Sequence, residues 1–440
     1  MAISRALSIG TSSLRSHQRR FDVIANNIAN INTTGYKSSR VNFVDQFYQI
    51  VNRGRASNVV GTRGSGGNNP LQYGLGVRVG SISPDLTQGV IESTGRPLDM
   101  AIQGDGFFIY QMNGRQYFSR SAPIIRDSEG YLIDPTTGAI LRGFNVVRDA
   151  NGFIVYDSAG ISSLNKTLNN LQIPITTTTP PKQTQNIKLS GNLNAESSEN
   201  ATALTSITIY DNNGTAHTLT FTFTKTANPN EWSLSGKIDG KALTLNTTTI
   251  TFNSDGTINT PTSFTIAASD LNTALGQNVF DATTPKDITI ELAPTNNLLQ
   301  GMTQFAGSNT VSFQYQDGYT YGELLDLNID DAGKIWGSFT NGRTELLGQV
   351  ALARFANPSA LVREGNNLFS VGPDSGLPLI GTAGETFASN RIYSGALEQS
   401  NVDLAEQFTD MITTQRAFEA AARTITISDT LLGETNNLKR

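Results

Sequence analysis

The sequence predicts a multidomain α+β protein in which a helix at each end of the chain flanks a long β-rich middle. Three observations support this fold class. Apolar residues recur with a helical heptad spacing at both termini, and they alternate with a period of two in the segment between. The length of 440 residues is enough for about two to four domains.

The first element is an amphipathic helix of about thirty residues. Its apolar positions step by four and three residues alternately, which predicts a heptad seam. The apolar seam residues are Ile3, Leu7, Leu14, Phe21, Ile24, Ile28 and Ile31. Gly10 and His17 occupy two further seam positions. Gly10 is either a point of close helix approach or a hinge for assembly, or else a tolerated gap that Ile9 covers. His17 is either a packing residue or a pH-sensing or ligand-binding one.

The segment from Asn32 to Gly35 predicts the end of this helix in a left-handed turn. A second heptad seam follows at the other end of the chain, with Gln415, Ala422 and Asp429 at its less apolar positions. Its apolar members are Leu404, Phe408, Met411, Phe418, Ile425 and Leu432. Gln415 and Asp429 either set the register as buried polar groups or face solvent.

The two terminal helices are expected to pair with each other. Residues 1–40 carry six basic residues and one acidic residue, a net charge of +5, and residues 397–440 carry four and seven, a net charge of −3. Opposite charge favours association of the two ends over self-pairing. An isolated helix pair is marginally stable in water. We therefore expect both termini to be largely unfolded in the monomer and to become ordered when neighbouring subunits cover their remaining faces.

The middle of the chain is predicted to be all-β. Ser206–Tyr210 and His217–Phe223 alternate with period two around the turn sequence Asp211–Gly214, which indicates a β-hairpin. Gly64–Pro70 and Thr176–Pro181 have compositions of extended or flexible chain, and they are candidate boundaries.

Composition excludes several classes of function. The net charge of −5 does not provide the basic face that a nucleic-acid-binding protein needs. No apolar run reaches the roughly 18 residues of a membrane span. The chain has no cysteine and only two histidines, so we expect no disulfide, no metal site, no cofactor and no catalytic centre. The N-terminal segment is not a cleavable secretory signal, so the protein is either cytoplasmic or exported by a route that reads no such signal.

Three segments resemble the flagellar rod and hook proteins. Residues 25–37 resemble the N-terminal signature of that family, residues 93–108 resemble the start of its shared β-domain, and residues 395–404 resemble its C-terminal motif. The signature residues are Asn26, Asn27, Asn30, Asn32, Gly35, Tyr36 and Lys37. Its asparagines either cap and terminate the helix or form a recognition element for export or for the next subunit. The segment Phe118–Ile124 departs from the family pattern.

Within this family the chain resembles the hook proteins, because its middle is long. The resemblance implies a coiled-coil inner-tube domain with its linker (residues 1–72 and 397–440), an inner β-domain (73–146 and 301–396) and an outer β-domain (147–300). It also implies a non-enzymatic structural subunit that polymerises into a hollow curved tube, a universal joint that transmits torque from rod to filament. The alternative is a distal rod-type axial protein with an enlarged β insertion.

The same resemblance implies the partners and the location of the protein. The partners are other copies of the chain, the distal rod protein, the hook cap protein, the hook–filament junction protein and the flagellar type III export apparatus. Neither nucleic acid nor membrane insertion is expected. The location is extracellular, in the flagellar hook and basal body, after export without a cleaved signal. A function of another class, a carbohydrate-binding or hydrolytic module at residues 147–300, is the more distant alternative.

Overall fold

The computed structural model describes residues 2–60, 63–149, 154–155, 162–281, 286–294 and 298–437. The side chains of residues 2–4, 58–60, 63–65, 298 and 436 lie outside that description. Helix α1 (Ala2–Ala29) begins the chain, as the heptad spacing predicts. Gly35 has φ +70°, so the predicted left-handed turn after this helix is confirmed.

A long antiparallel ribbon, residues 39–84, follows helix α1. Its strands are β1 (Ser39–Asp45), β2 (Tyr48–Asn52), β3 (Asn58–Val60), β4 (Arg63–Ser65), β5 (Leu71–Gly74) and β6 (Val77–Pro84). They pair in nested order, β1 with β6, β2 with β5 and β3 with β4. The expected domain boundary at residue 72 falls inside β5. The segment that composition suggested as a linker is therefore a β-ribbon, because its two halves bond to each other along their length.

An inner β-unit is built from both sides of the middle segment. Its strands before the outer unit are β7 (Ile91–Ser93), β8 (Met100–Gln103), β9 (Phe107–Met112), β10 (Arg115–Ser119), β11 (Ile125–Arg126), β12 (Leu132–Ile133), β13 (Ile140–Asn145), β14 (Asn169–Asn170) and β15 (Thr178–Thr179). Its later strands are β27 (Gly322–Ile329), β28 (Lys334–Phe339), β29 (Thr344–Val350), β30 (Leu352–Arg354), β31 (Val362–Gly365), β32 (Leu368–Ser370), β33 (Leu379–Gly381), β34 (Arg391–Ser394) and β35 (Ala396–Glu398). The main path of its sheet is β15-β27-β28-β29-β13-β9-β10-β32-β31, and short pairs β34-β8 and β35-β7 lie beside it.

The outer β-unit is formed by the part of the sequence between these two groups of strands. Its strands are β16 (Asn186–Asn192), β17 (Thr202–Tyr210), β18 (Ala216–Lys225), β19 (Glu231–Ile238), β20 (Lys241–Leu243), β21 (Thr249–Phe252), β22 (Ile258–Thr260), β23 (Ser263–Ile266), β24 (Ile288–Glu291), β25 (Met302–Thr303) and β26 (Ser312–Gln316). Two sheets result, β17-β18-β19-β21-β22 with β20 on β19, and β23-β24-β16-β25 with β26 on β16. Strand β17 pairs with β18 across the turn at Asp211–Gly214, which confirms the predicted hairpin.

The sequence predicted an all-β middle, and this prediction is wrong in one place, because the middle of the chain contains a short helix. Helix α2 (Ala268–Leu275) packs Ala268, Leu271 and Leu275 into the outer unit and ends at Gly276 with φ +74°. The buried Asn272 accepts hydrogen bonds from the backbone N–H groups of Val279 and Phe280 through Oδ1. These bonds attach the helix to the segment that follows it and stabilise an eight-residue helix that is too short to show a clear periodicity.

The chain passes between the two β-units through a pair of adjacent segments, near residues 178–182 and 319–323. Thr178 and Thr179 pair with β27, and the backbone of Lys182 forms an isolated antiparallel β-bridge with that of Tyr319. Beside this crossing, Asp317 accepts hydrogen bonds from the backbone N–H groups of Gln185 and Asn186. Burial alone would raise the pKa of Asp317, but these bonds and Lys182 outweigh it and lower the pKa.

The observed crossing places the outer unit later in the sequence than the expected boundaries of 147 and 300. Ile154, Leu171 and Ile173 pack in the core of the inner unit, and β25 and β26 belong to a sheet of the outer unit. Composition could not show this, because the segments on either side of each boundary are alike in their polar, Thr- and Asn-rich character.

Three apolar cores hold the β-units together. Trp232 and Phe221 lie in the core of the outer unit, Phe108 and Met100 lie in the larger inner core, and Phe118 packs edge-on against Phe355 in a smaller one. Helix α3 (Leu404–Asn437) follows the last inner strand. Among the described residues, neither α1 nor α3 contributes to any of these cores.

Candidate assembly site

Helices α1 and α3 pack side by side, as the sequence predicts. Asn27 Nδ2 donates to Gln407 Oε1 at 3.0 Å, and Arg20 pairs with Asp410 at 2.9 Å. Further along, Gly10 faces Ile425. Because residue numbers rise along α1 as they fall along α3, the two helices are antiparallel.

Gly10 marks the closest approach of the two helices. A Cβ atom at this position would lie 2.7 Å from Ile425 Cγ1 and 3.4 Å from Thr424 Oγ1. Ile9 remains 39% exposed. Of the two interpretations of Gly10, close approach is therefore confirmed, and Ile9 does not cover the position.

The most deeply buried positions of α3 are small or polar residues, and Ile425 lies against Gly10 beside them. Gln407, Thr414, Ala421 and Ser428 are buried and seven residues apart. Thr414 Oγ1 donates to the Asp410 carbonyl at 2.6 Å, and Ser428 Oγ donates to the Thr424 carbonyl at 2.7 Å. Because these hydroxyl groups are satisfied within their own helix, the short side chains pack without a desolvation penalty.

Only part of the predicted α3 seam takes part in this contact within the chain, where Ile425 lies against Gly10. Leu404, Phe408, Phe418 and Leu432 are 38–49% exposed, and only Met411 and Ile425 are half-buried. Gln415 and Asp429 are exposed, so they do not set the register between these two helices. The predicted seam was chosen for its apolar residues. The close approach of the helices at Gly10 instead favours small side chains, which lie in a row one residue earlier in the sequence.

The predicted α1 seam is more buried within the single chain than the predicted α3 seam. Ile24 is buried, and Ile3 has a side chain outside the described residues. The remaining members, Leu7, Leu14, Phe21, Ile28 and Ile31, are half-buried. An apolar flank of the helix pair therefore remains open to solvent in the single chain.

A cavity of about 630 Å³ opens between the helices along that flank, with His17, Phe21, Thr414 and Phe418 in its lining. His17 is half-buried, and its ring centroid lies 5.5 Å from that of Phe43. Burial, and then the charge of Arg20, lower the pKa of His17. Within the described ranges no group of three His, Asp or Glu side chains could hold a metal ion. The contacts of His17 are those of a packing residue.

The signature asparagines connect α1 to the ribbon and to α3. Asn27 Nδ2 donates to the Ser39 carbonyl and Asn27 Oδ1 accepts from the Ser39 N–H, both at 2.9 Å. Tyr36 Oη also donates to Asn27 Oδ1, at 3.2 Å. Asn30 Nδ2 donates back to the Asn26 carbonyl at 2.9 Å, and Asn32 is exposed. Asn26, Asn27 and Asn30 thus have the contacts of capping and packing residues.

Gly35 and Tyr36 bring the chain against the inner β-unit. The Gly35 N–H donates to the Glu398 carbonyl at 2.7 Å, and a Cβ atom on Gly35 would lie 2.7 Å from Ser121 Cβ. With φ +70°, this position favours glycine on both steric and backbone grounds. The Arg363 guanidinium lies 5.4 Å from the centroid of the buried Tyr36 ring.

Lys37 ends in a buried charge node with Glu398 and Arg120. Lys37 Nζ lies 2.6 Å from Glu398 Oε1, and Arg120 Nε lies 2.9 Å from Glu398 Oε2. The side chains of Lys37 and Glu398 are fully buried and that of Arg120 is 4% exposed. Burial lowers the pKa of Lys37, and the neighbouring Glu398 opposes this shift.

Backbone groups complete the charge node. Lys37 Nζ donates to the Thr87 carbonyl at 2.6 Å, and Glu398 Oε1 accepts from the Gly89 N–H at 2.8 Å. Arg120 Nη1 donates to the carbonyls of Gly104 and Gly106 at 2.8 and 2.7 Å. The node therefore joins the end of the N-terminal signature to four separate segments of the chain, near residues 87–89, 104–106, 120 and 398.

Sequence reasoning named Lys37 but not its two partners. Glu398 lies in the C-terminal motif, and Arg120 lies in the segment that departs from the family pattern. No local spacing connects positions 37, 120 and 398. The available signal was the presence of charged residues inside these motifs.

Family models of known proteins match three parts of the chain. A family model for "Flagella basal body rod protein" matches residues 7–37, one for "Flagellar basal body protein FlaE D2 domain" matches 163–319, and one for "Flagellar basal body rod FlgEFG protein C-terminal" matches 393–438. These matches define the class of the chain, a structural protein of the flagellar rod and hook.

Relatives across the whole length narrow this class. Flagellar hook proteins FlgE of Treponema pallidum, Borreliella burgdorferi and Escherichia coli are 34%, 35% and 32% identical to the chain. Each alignment covers 99% of this chain and 99–100% of the relative. The chain therefore belongs to the flagellar hook protein family, and the resemblance found in its motifs is confirmed. No helix among the described residues combines the length and the apolar character that crossing a membrane requires.

Proposed function

We propose that the chain polymerises into the hollow, curved tube of the flagellar hook and transmits torque from rod to filament as a universal joint. The observation that carries this proposal is the exposed apolar flank of the α1–α3 pair. Phe408 is 49% exposed and Phe418 is 42% exposed, and both lie on α3 in the heptad row that also contains the exposed Leu404 and Leu432. A row of such residues on a helix is a docking surface for another helix.

In this proposal the predicted seam operates between copies of the chain. The α3 row of Leu404, Phe408, Phe418 and Leu432 faces away from α1 and is available to a neighbour. Knobs from this row and from the half-buried α1 row would interlock in coiled-coil fashion around a common axis. The helix pairs form the inner tube, and the inner and outer β-units lie progressively further from the axis.

In this proposal the outer β-units of neighbouring subunits move against each other when the tube bends. Two adjacent segments near residues 178–182 and 319–323 connect it to the inner unit. Subunits on the inside of a curve must approach each other while those outside separate, so contacts between outer units should be shallow and polar. A charged fraction of only 16% limits repulsion between such surfaces.

The remaining parts of the proposal concern partners and location. Besides its own copies, the chain would meet the distal rod protein, the hook cap protein and the hook–filament junction protein. It would leave the cell unfolded through the flagellar type III apparatus without a cleaved signal, and it would have no enzymatic activity. Relatives named as hook proteins over the full length favour this function over a rod-type protein with an enlarged insertion.

Electron microscopy of polymer grown from purified chain tests the proposal. The triple variant Phe408→Ser, Phe418→Ser, Leu432→Ser should remain monomeric, because each side chain would lose about 1.5–3 kcal/mol of burial between copies. A control triple variant, Leu204→Ser, Ile175→Ser, Leu325→Ser, alters apolar residues of the β-units that are 54–69% exposed and should still form curved tubes. A chain without residues 2–30 and 404–440 should not assemble. Tubes grown from that chain would overturn the proposal, and straight, rigid polymer of the full chain would favour the rod-type function.

A further inference from the structure

His217 lies between two aspartates in the outer β-unit. It is a residue of β18, and the turn before β18 and the turn between β19 and β20 each bring a carboxylate to its ring. His217 Nδ1 lies 2.7 Å from Asp239 Oδ2, and His217 Nε2 lies 3.5 Å from Asp211 Oδ2. The side chain of His217 is 12% exposed and that of Asp211 is 1% exposed. A carboxylate therefore faces each nitrogen of a mostly buried imidazole.

The contact between His217 and Asp239 is a complete hydrogen bond. Asp239 Oδ1 accepts from the Thr218 N–H at 2.8 Å, which leaves Oδ2 for the ring. Burial would raise the pKa of Asp239, but the hydrogen bonds from His217 and from the Thr218 backbone outweigh it and lower the pKa. Asp239 is therefore ionised near neutral pH. Because a carboxylate only accepts hydrogen bonds, the Nδ1 atom of His217 is the donor.

The contact between His217 and Asp211 lacks a proton. Asp211 Oδ1 accepts from the backbone N–H groups of Asn213 and Thr215 at 2.8 and 2.7 Å. Asp211 Oδ2 and His217 Nε2 are both buried, and among the described residues neither atom has a hydrogen-bond partner. Without a proton on Nε2, two buried acceptors face each other and both stay unsatisfied. A proton on Nε2 satisfies both atoms and places a positive charge between the two carboxylates.

The third neighbour of the imidazole is aromatic. The ring centroids of His217 and Phe280 lie 5.7 Å apart. Asp281 follows Phe280 in the chain, and its carboxylate lies 3.4 Å from Lys286 Nζ. This segment therefore brings an apolar ring to the imidazole, and the carboxylate beside that ring has a cation of its own.

The nearby Lys241 acts on Asp239. Its charge contributes to the lowered pKa of that carboxyl, and its Nζ donates to the Leu275 carbonyl at 2.8 Å. In the part of the chain that the structure describes, the ion pairing of Asp211 is with His217 alone. The imidazole is therefore the group that can compensate the buried charge of Asp211.

We infer that His217 is doubly protonated in the folded chain and joins the turns at Asp211 and Asp239 through a proton-dependent contact. This inference goes beyond the proposed function and does not depend on polymer formation. Because the folded chain holds a proton that the unfolded chain releases, the outer β-unit becomes less stable as the pH rises. The added stability is complete below about pH 6.5, where a free histidine is itself protonated, and it is lost at higher pH. The outer unit is then firmer in acidic than in alkaline surroundings.

Urea unfolding of the full chain at about pH 6 and about pH 8 tests this dependence. His17→Gln and Trp336→Phe are included in every protein, so that His217 is the one histidine and Trp232 the one tryptophan. Trp232 lies in the core of the outer unit, and its fluorescence follows the unfolding of that unit. The unfolding equilibrium constant should be about tenfold larger at the higher pH. An equal or smaller constant at the higher pH would overturn the inference.

Asp211→Asn separates the proposed contact from other effects of pH. The new amide keeps an oxygen for the N–H groups of Asn213 and Thr215, and its NH₂ group can donate to Nε2 of a neutral His217. This variant should therefore stay folded at both pH values and lose most of the pH dependence.

Asp255→Asn is the matched control for this variant. Asp255 accepts hydrogen bonds from the backbone and the hydroxyl group of Thr257 in another turn of the outer unit. The control removes the same charge and should leave the pH dependence unchanged. If Asp211→Asn keeps as much pH dependence as Asp255→Asn, the inference is wrong.

Nitrogen-15 NMR of the histidine-labelled chain detects the proton directly. In the His17→Gln protein at about pH 6.5, where a free histidine is about half protonated, both ring nitrogens of His217 should have the similar chemical shifts of an imidazolium. Shifts that match a neutral imidazole, or the same chain unfolded in urea, would overturn the inference.

A transition-metal ion is the other occupant that could satisfy Nε2 and Oδ2. A proton is favoured, because no third His, Asp or Glu of the described residues is placed to complete a metal site. Neither Zn²⁺ nor EDTA should change the urea midpoint at about pH 6. Stabilisation by Zn²⁺ that EDTA reverses, and that Asp211→Asn abolishes, would replace the proton with a metal and overturn the inference.

Discussion

At the scale of single residues, Glu398 is the best-connected group of the candidate site. Its carboxylate accepts from Lys37, Arg120 and the Gly89 backbone, and its own carbonyl accepts from Gly35. A buried carboxylate is tolerated only when it is paired and fully hydrogen-bonded. These contacts connect the helical ends to the inner β-unit, so torque passing from one to the other would pass through them.

Glu398→Gln is therefore expected to destabilise the chain strongly. The variant keeps the shape of the side chain but leaves two buried cations without their anion, which should cost about 3–5 kcal/mol. Urea unfolding measures the change in the free energy of unfolding. Glu385→Gln is the control, because it removes one partner of the surface pair Lys334–Glu385, where the glutamate is 59% exposed, and should cost less than about 1 kcal/mol. A loss below about 1 kcal/mol for Glu398→Gln would show that the node is not held as described.

At the scale of elements, the helix pair shows which features of a helix–helix contact a hydrophobic pattern predicts and which it does not. The heptad spacing correctly predicts both helices and their association. It does not identify the buried row of Thr414, Ala421 and Ser428, because these residues are less apolar than Phe408 or Phe418. Close approach requires small side chains, and a scale of hydrophobicity does not measure size.

Gly10→Ala tests the close approach of the helices. An added methyl group would lie 2.7 Å from Ile425 Cγ1 and push the helices apart, although alanine is favoured over glycine within a helix by about 1 kcal/mol. We expect weaker polymer formation, measured as a higher critical concentration in sedimentation. Adding Ile425→Ala removes the clashing atom and should restore part of the loss. If Gly10→Ala polymerises at least as well as the unmodified chain, the helices do not need this contact.

At the scale of the whole molecule, the apolar cores and the assembly surfaces are separate. The three cores lie within the β-units, whereas the helix pair and the ribbon of residues 39–84 leave apolar residues exposed. We propose that the middle of the chain folds independently and that its ends become ordered on contact with other copies.

Hydrogen exchange on the full-length chain tests whether the middle folds in the monomer and the ends become ordered only in the polymer. In dilute monomer, amides of residues 5–28 should exchange with little protection, while amides of β9 and β18 should be strongly protected because their side chains lie in the cores. In polymer, residues 5–28 should become protected as well. Strong protection of these residues in the dilute monomer would contradict the expectation that the tails are unfolded before assembly.

The sequence by itself determined the helical ends, the β-rich middle, the hairpin at residues 206–223 and the family, because these depend on local periodicity and on contiguous motifs. Tertiary structure alone decided which face of α3 meets α1, where the chain crosses between the β-units, that residues 39–84 form a ribbon, and that Lys37 meets Glu398 and Arg120. These features depend on contacts such as that between Lys37 and Glu398, which are 361 positions apart. Local patterns contain no information about size complementarity or charge pairing over such separations.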